Sequence, residues 1–212
     1  EYIKALAKKF DSKIISETGE EYTVDNIDKF DYEGDILYGI EGISSRVKGE
    51  DSTLYSIFGI NRIVSFNQEM IDRIENSDSP IDTFSNMVKE IQYLDAFSAN
   101  QRFFRNKEDG KIIGTYTLTQ NLRTILPYKP SVEFENSDMV KNEDIAFWNI
   151  GLVTIDGDEN DPNSYQVIGQ LDYNDFIKKL PKDKYRFIDA SYILIEPLSK
   201  EEILGLLEIS VS

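Results

Sequence analysis

The chain has 212 residues, 40% of them apolar, and its 39 acidic against 23 basic residues give a net charge of −16. This length suffices to bury a substantial core, whereas the charge repels phosphate backbones and anionic lipid headgroups, so neither a nucleic acid nor a membrane is expected as a partner. The sequence lacks histidine and cysteine, which excludes Ser-His-Asp and Cys-His catalytic sets, thiolate metal sites and disulfides.

The first residue of the sequence and its longest apolar runs bear on where the protein is located. The sequence begins with Glu1 rather than methionine, which suggests that it starts downstream of the natural start. It has no run of about eighteen apolar residues, so no membrane span is predicted. We expect a cytoplasmic protein without a cofactor, a location that an absent N-terminal segment would change if it carried a signal.

The first third of the chain is predicted to form a helix, a hairpin and a strand. Apolar residues recur at helical spacing over residues 1 to 10, which predicts an amphipathic helix that packs against the core. A short hairpin is expected around Gly19. Farther on, Ile36, Tyr38 and Ile40 alternate at the period of two that is typical of a strand.

The middle of the chain is predicted to contain two β-segments, two helices and a hairpin. The helices begin after Asn67 and at Pro80, because asparagine is a good N-cap and proline suits the first helical position. The β-segments are predicted at residues 53–58 and 62–66, and the hairpin at residues 101–106 with 111–118. Phenylalanines between basic residues in this hairpin are typical of a strip that stacks nucleic-acid bases, but the net charge favours an ordinary hairpin.

The last third of the chain contains its most apolar stretch and is expected to organise the fold. Residues Ile145–Ile155 are apolar at both alternating sets of positions, which is typical of a strand that is covered on both faces. Residues 165–173 alternate and are predicted to pair with this central strand in antiparallel, across the turn-rich loop 156–163. A third strand is predicted at Tyr192–Ile195.

These elements predict an α+β protein with a mixed, mainly antiparallel sheet and four to five helices, the last two capped by Asn174 and Ser199. The segment 127–142, which carries two prolines and many charges, is the expected boundary. We therefore predict an N-terminal lobe over residues 1–130 and a C-terminal β-rich lobe over residues 131–212, with one continuous domain as the alternative.

The loop after the central strand contains the candidate metal site. Asp156, Asp158 and Asn160 place oxygen ligands at alternate positions, as a calcium loop does. The sixth and twelfth positions of that pattern hold Asp161 and Val167 instead of the usual glycine and bidentate glutamate. A hairpin loop rich in turn formers is therefore the alternative.

The sequence supports two hypotheses of function and singles out no catalytic residue. A pair of carboxylates can hydrolyse a glycosidic bond without histidine, so a carboxylate-dependent hydrolase acting on a carbohydrate-like substrate is one hypothesis. The favoured hypothesis is a non-catalytic interaction or regulatory protein whose acidic surface meets a basic protein partner. Acidity that only keeps the protein soluble would explain the same charge.

Three stretches together resemble a family of acidic proteins from Gram-positive bacteria that is filed as a domain of unknown function. They are Leu6–Phe10 leading into Ile14 and Ile15, then Leu171–Phe176, then Ile193–Ile203. The resemblance covers most of the chain and lies in structural motifs. It implies a bacterial, cytoplasmic origin and a missing N-terminal segment, and it carries over no activity and no functional residue.

Overall fold

The computed structural model of the chain describes residues 2–16, 19–49 and 54–208. Within these ranges it forms six α-helices, α1 (Tyr2–Phe10), α2 (Tyr32–Val47), α3 (Gln68–Glu75), α4 (Pro80–Gln92), α5 (Tyr173–Lys179) and α6 (Lys200–Leu207). Its strands in the same ranges are β1 (Ile14–Ile15), β2 (Glu21–Tyr22), β3 (Tyr55–Phe58), β4 (Ile63–Phe66), β5 (Phe97–Ser98), β6 (Arg102–Arg105), β7 (Ile112–Thr119), β8 (Thr124–Pro127), β9 (Ile145–Ile155), β10 (Tyr165–Asp172), β11 (Tyr185–Phe187) and β12 (Tyr192–Ile195). Helices together with mixed, mostly antiparallel sheets confirm the predicted α+β class.

Two four-stranded sheets form the centre of the molecule. The first has the strand order β10-β9-β7-β6, and the second has the order β11-β12-β8-β5. Neighbouring strands are antiparallel except for β7 with β9 and β5 with β8. The predicted central strand is thus confirmed as β9, an interior strand whose second half is buried on both faces. β10 pairs with it in antiparallel, as predicted, whereas the third predicted strand, β12, belongs to the second sheet.

The main core contains side chains from both four-stranded sheets together with α5 and α6. Tyr116 and Ile150 contribute from the first sheet, and Leu126 and Ile193 contribute from the second. All four are fully buried. Trp148 packs against this core half-buried, with its ring stacked on that of Tyr116 at a centroid distance of 5.7 Å. The core therefore holds the two sheets together.

A second, smaller core joins α2, α3 and α4 to the β3–β4 hairpin. Phe66 and Ile71 are fully buried there, and the ring of Phe66 stacks on that of Phe84 at 5.7 Å. Ile188, which follows β11, also packs against this core. We call α2, α3, α4 and the β3–β4 hairpin the helical unit; it contacts the second sheet beside β11.

The prediction of a strand at Ile36–Ile40 is wrong, because this segment lies in α2. Over the sixteen residues of α2, apolar side chains at a spacing of three or four positions face the second core; these are Ile36, Ile40, Ile43 and Val47. Asp31 caps the helix by accepting a hydrogen bond from Gly34 N at 3.0 Å. The alternation spans too few residues to distinguish a period of 2 from a period of 3.6.

Gly39 lies on the exposed face of α2 and allows the helix to be tested. A Cβ added there meets no atom within 4 Å. Because alanine is favoured over glycine in a helix by roughly 0.5–1 kcal/mol, we expect Gly39→Ala to raise the free energy of unfolding by about that amount in urea denaturation. The control is Gly19→Ala, which should destabilise because Gly19 has a φ of +86°. A loss of stability in Gly39→Ala would contradict the helix.

α1 is confirmed as a helix, but its apolar face does not pack as predicted. Tyr2 and Phe10 are 77% and 66% exposed, and Ala7 is the buried residue of this helix. An ion pair of 2.6 Å between Lys4 and Asp28 ties α1 to the segment before α2. The sequence period shows which side of a helix is apolar, but it does not show whether another element covers that side.

Most hairpins and caps agree with the predictions. The predicted β1–β2 and β6–β7 hairpins are present, and the predicted β-segments at 53–58 and 62–66 contain β3 and β4, which pair with each other. Asn67 and Ser199 accept the expected N-cap hydrogen bonds. The cap of α5 is Asp172 rather than Asn174, because the helix begins at Tyr173, two residues earlier than a cap at Asn174 would place it. The parts of the predicted elements at residues 1, 17–18 and 53 lie outside the described residues.

Strand pairing crosses the predicted boundary. In the first sheet β7 pairs with β9, and in the second β8 pairs with β12, so each sheet combines strands from both sides of residue 130. The division into lobes at residues 1–130 and 131–212 stays a prediction. No helix within the described ranges is long and apolar enough to cross a membrane.

Candidate functional site

The helical unit and the second sheet leave two cavities between them. The larger, which we call the groove, has a volume of about 700 Å³ and lies between α3 and α4 on one side and residues 186–190 on the other. The smaller, which we call the cleft, has a volume of about 190 Å³ and is lined by residues 61–63, residues 98–100, Ile125, Glu133, Glu135 and Tyr192. Concave sites with a few polar groups are where ligands bind most often.

The groove has an apolar floor. Met70, Met87, Ile91 and Ile188 line it, and all four also belong to or pack against the second core. Met87 and Ile91 lie one turn apart on α4, so the helix presents them side by side. Methionine side chains are flexible and adapt to differently shaped apolar groups. The floor can therefore receive apolar side chains of a partner.

The helical wall of the groove is acidic. Glu69 on α3 and Glu90 on α4 line it, are exposed, and form no ion pair with any described residue. An extension of about 300 Å³ beyond Ile91 adds the exposed Asp95, which is likewise unpaired within the described chain. Residues 68–96 contain two basic residues, Arg73 and Lys89, against the acidic residues Glu69, Asp72, Glu75, Asp78, Asp82, Glu90 and Asp95.

Two arginines also line the groove. Arg186 on β11 lies on the sheet side, opposite the helical wall, and Arg73 on α3 lies on the helical side. Both side chains belong to exposed residues, and neither pairs with a carboxylate of the described residues. The groove thus holds unpaired charges of both signs, with the negative ones concentrated on the helices.

Asp189 fixes the sheet side of the groove. This buried carboxylate accepts hydrogen bonds from Ser65 N at 2.9 Å, from Ser191 N at 2.8 Å and from Tyr192 N at 2.7 Å. Burial raises the pKa of Asp189, and the three N–H donors oppose that rise. Asp189 therefore ties β4 of the helical unit to the turn between β11 and β12.

The C-terminal end of α4 lines the groove and is hydrogen-bonded to residues that line the cleft. Gln92 Oε1 accepts a hydrogen bond from Asn61 N at 2.8 Å, and Gln92 Nε2 donates to Arg62 O at 2.7 Å. Arg62 Nη1 in turn donates to Ile91 O at 2.8 Å and to Leu94 O at 3.0 Å. We call these bonds the α4 clasp. Ile91 lines the groove and Arg62 lines the cleft, so the α4 clasp links the walls of the two cavities.

Arg62 is the cation of the cleft, and its hydrogen bonds are incomplete. Besides the α4 clasp, Nη2 donates to Ala96 O over a long 3.4 Å, and Nε is buried without an acceptor. All its partners are backbone carbonyls, and no carboxylate of the described residues pairs with it. Burial lowers the pKa of the guanidinium, which nevertheless stays protonated at neutral pH.

Glu133 is the half-buried carboxylate of the cleft. Gln101 Oε1 holds the Glu133 loop in place by accepting hydrogen bonds from Glu133 N at 3.0 Å and from Asn136 Nδ2 at 3.1 Å. Tyr116 OH donates to Glu133 Oε1 at 3.3 Å. Burial raises the pKa of Glu133, the hydrogen bond from Tyr116 opposes this rise, and the negative charge of Glu135 adds to it.

A protein-family model described as a domain of unknown function, DUF4299, matches residues 1–206. The chain belongs to the DUF4299 family. The match confirms the resemblance that was inferred from Leu6–Phe10 and the two later stretches, while a Gram-positive origin and an acidic character of the family stay predictions. No curated protein and no solved structure matches the DUF4299 chain.

The candidate calcium ligands of the DUF4299 chain lie in the loop between β9 and β10. Asp158 Oδ1 accepts hydrogen bonds from Asn160 N at 2.9 Å and from Asn160 Nδ2 at 3.0 Å, which lower the pKa of Asp158. Asp156 lies 3.8 Å from Lys200 Nζ. Neither the groove nor the cleft includes these residues, and the described part of the chain contains no group of three acidic residues placed to hold a metal. The calcium site stays a prediction.

Sequence reasoning missed both cavities of the DUF4299 chain. Glu133 lies in the segment that was predicted only as a boundary, and Arg62 lies in a predicted β-segment. Both line the cleft because the helical unit packs beside β5 and β12, a contact that no local spacing signals. The one usable signal was the isolated position of Arg62 in an otherwise apolar and neutral stretch, Ile60–Phe66.

Proposed function

We propose that this DUF4299 chain is a non-catalytic protein-interaction module of the bacterial cytoplasm, and that its groove binds a basic, partly apolar segment of a regulatory partner protein. The observation that carries the proposal is the combination of an apolar floor with Glu69 and Glu90 on one wall, two carboxylates that form no ion pair with a described residue. Opposite charges on partner and groove would both attract and orient the segment.

The dimensions of the groove support this proposal. Its volume of about 700 Å³ lies within the range of roughly 300–1,000 Å³ that ligand sites occupy. Because methionine side chains are flexible, the floor residues Met70 and Met87 can accommodate partner segments with different apolar side chains. A segment that places apolar groups on the floor and cations beside Glu69, Glu90 and Asp95 would use every part of the helical wall.

The hydrolase hypothesis has weaker support. The cleft does contain two carboxylates, Glu133 and Glu135, and the pKa of Glu133 is raised as a general acid requires. However, a volume of about 190 Å³ is close to that of one sugar ring, whereas cleaving a glycosidic bond requires room for the groups on both sides of that bond. The geometry therefore favours binding over hydrolysis.

The groove can be tested with designed peptides. We expect the full chain to bind a fluorescent seven-residue peptide that alternates lysine with leucine, and to bind a lysine–serine peptide of equal charge at least about tenfold more weakly, because only the first fills the apolar floor. The double substitution Glu69→Lys with Glu90→Lys should raise the Kd of the lysine–leucine peptide by a factor of about ten or more relative to the unsubstituted chain. Fluorescence anisotropy measures each Kd.

Two controls separate the groove from general acidity. The double substitution Asp138→Lys with Glu143→Lys makes the same change of net charge at exposed positions outside the groove and should change the Kd by less than about twofold, since screening limits distant charges. Arg186→Glu should tighten binding, because it replaces a positive charge in the groove by a negative one. If both double variants lose affinity for the lysine–leucine peptide equally, or if the lysine–serine peptide binds as tightly as the lysine–leucine peptide, the groove is not the binding site.

A further inference from the structure

We propose that the cleft binds a small zwitterion of the α-amino acid class, with the carboxylate of the ligand held by Arg62 and its ammonium group held by Glu133 and Glu135. This site is separate from the groove, and it adds a small-molecule ligand to the proposed interaction function. The cleft combines three features: a cation with an unused donor, two glutamates that form no ion pair with a described residue, and a small volume.

Arg62 has the donors that a ligand carboxylate needs. Its Nη1 atom is used by the α4 clasp, whereas Nε has no acceptor and Nη2 has one long bond of 3.4 Å. Nε and Nη2 form one edge of the planar guanidinium, and that edge binds a carboxylate through two parallel hydrogen bonds. A buried donor without an acceptor is rare and destabilising. A carboxylate that enters the cleft supplies the missing acceptor after a small movement of the side chain.

The opposite side of the cleft can hold a cation. Glu133 and Glu135 both line it, and neither forms an ion pair with a described residue. Arg62 lines the same cleft, where its guanidinium is bonded to backbone carbonyls and forms no ion pair with either glutamate. A ligand with one negative and one positive group pairs with both Arg62 and the glutamates, which a simple anion or a simple amine cannot do.

The volume and lining of the cleft limit the size of the ligand. About 190 Å³ accommodates a single amino acid but not a peptide, and it is below the range of roughly 300–1,000 Å³ that larger ligands occupy. The apolar side chains of Ile63, Ala99 and Ile125 also line the cleft and can contact the side chain of the ligand. Asn61 and Asn100 add further hydrogen-bonding groups at its edge.

The proposal predicts a specific pH dependence. Burial raises the pKa of Glu133, so at mildly acidic pH a larger fraction of Glu133 is neutral than of an ordinary glutamate, whereas the charges of a free amino acid stay constant between about pH 5 and pH 7. Binding should therefore strengthen as the pH rises through the raised pKa of Glu133. The other ionisable groups that act on Glu133 or share its cleft are Glu135 of the same loop, Arg62 of the helical unit, and the tyrosines Tyr116, Tyr173 and Tyr192. The tyrosines stay neutral in this range, because burial raises the pKa of each.

Isothermal titration of the full chain tests the proposal. The probes are L-alanine, L-valine, L-leucine and L-glutamine, with acetate as the carboxylate alone and ethylamine as the amine alone. We expect at least one amino acid to bind about tenfold or more tightly than acetate and ethylamine, and to bind more tightly at pH 7 than at pH 5. No binding of any amino acid, or equal binding of acetate, would overturn the proposal.

Matched variants locate the binding in the cleft. Glu135 is exposed, so the Glu135→Gln variant should fold normally, and its Kd for the amino acid should be about tenfold higher. Glu143 is also exposed but lies outside the cleft, so Glu143→Gln should leave the Kd unchanged. Glu133→Gln should weaken binding at pH 7 and remove its pH dependence. If Glu143→Gln weakens binding as much as Glu135→Gln does, the ligand is not in the cleft. Failure here leaves the peptide experiments on the groove unaffected, because the two use different residues.

Discussion

Replacing Asp189 with alanine is expected to lower the free energy of unfolding by roughly 3–5 kcal/mol, because each buried donor left without an acceptor costs about 1–3 kcal/mol. The donors are the backbone N–H groups of Ser65, Ser191 and Tyr192, all bonded to this one carboxylate. Urea denaturation followed by circular dichroism measures the change as a lower midpoint. We expect the peptide binding proposed for the groove to weaken as well, since β4 loses the hydrogen bond from Ser65 N to Asp189 and keeps the backbone bond from Ala190 N to Ser65 O at 3.0 Å.

Two further variants define the role of Asp189. Asp189→Asn keeps one acceptor oxygen and should fall between the wild type and Asp189→Ala. Asp183→Ala removes an exposed aspartate from the same region of the chain and should change the stability by less than about 0.5 kcal/mol. If Asp189→Ala costs no more than Asp183→Ala, the hydrogen bonds of Asp189 do not hold the helical unit to the second sheet.

Replacing Gly114 with alanine is expected to destabilise the first sheet by roughly 1–3 kcal/mol through overpacking. A Cβ added at Gly114 would lie 2.3 Å from the ring of Trp148. That ring cannot move away easily, because Phe103 contacts it on edge at a centroid distance of 6.0 Å and Tyr116 stacks on it at 5.7 Å. For a chain of this size the loss corresponds to a fall in Tm of about 2–12 °C.

The fluorescence of Trp148 provides a second measurement for Gly114→Ala, since the chain contains one tryptophan. A displaced, more solvated ring should shift its emission to longer wavelength. Gly151→Ala is the matched control, because Gly151 is also in a strand of this sheet and its added Cβ would meet its nearest atom, Tyr116 O, at an ordinary 3.7 Å. Equal stability and emission in the two variants would show that Gly114 is not required beneath Trp148.

The sequence allowed the local elements to be predicted where one signal dominated. The long apolar run of β9, the capping box at Ser199 and the proline at the start of α4 each depend on neighbours in sequence, and each is confirmed. α2 was missed because a short alternation at Ile36–Ile40 competed with a helical period that becomes clear only when Val47 is included.

The cavities could not be predicted, because their chemistry comes from distant segments. In the sequence Asp189 is one acidic residue among 39, since its partner Ser65 lies far away along the chain. The abundance of carboxylates hid Glu133, whose raised pKa results from burial in the folded chain. What distinguishes these two acids from the other acidic residues is their environment, which composition and spacing do not report.

The α4 clasp gives the two cavities a shared mechanical element. Ile91 and Leu94 accept hydrogen bonds from the same guanidinium that lines the cleft, so a molecule that immobilises Arg62 also immobilises one end of the groove. Thermodynamic linkage requires any resulting change in affinity to be reciprocal: the factor by which the amino acid alters peptide binding equals the factor by which the peptide alters amino acid binding. The concentration of the amino acid would then change the fraction of the chain that is bound to its partner.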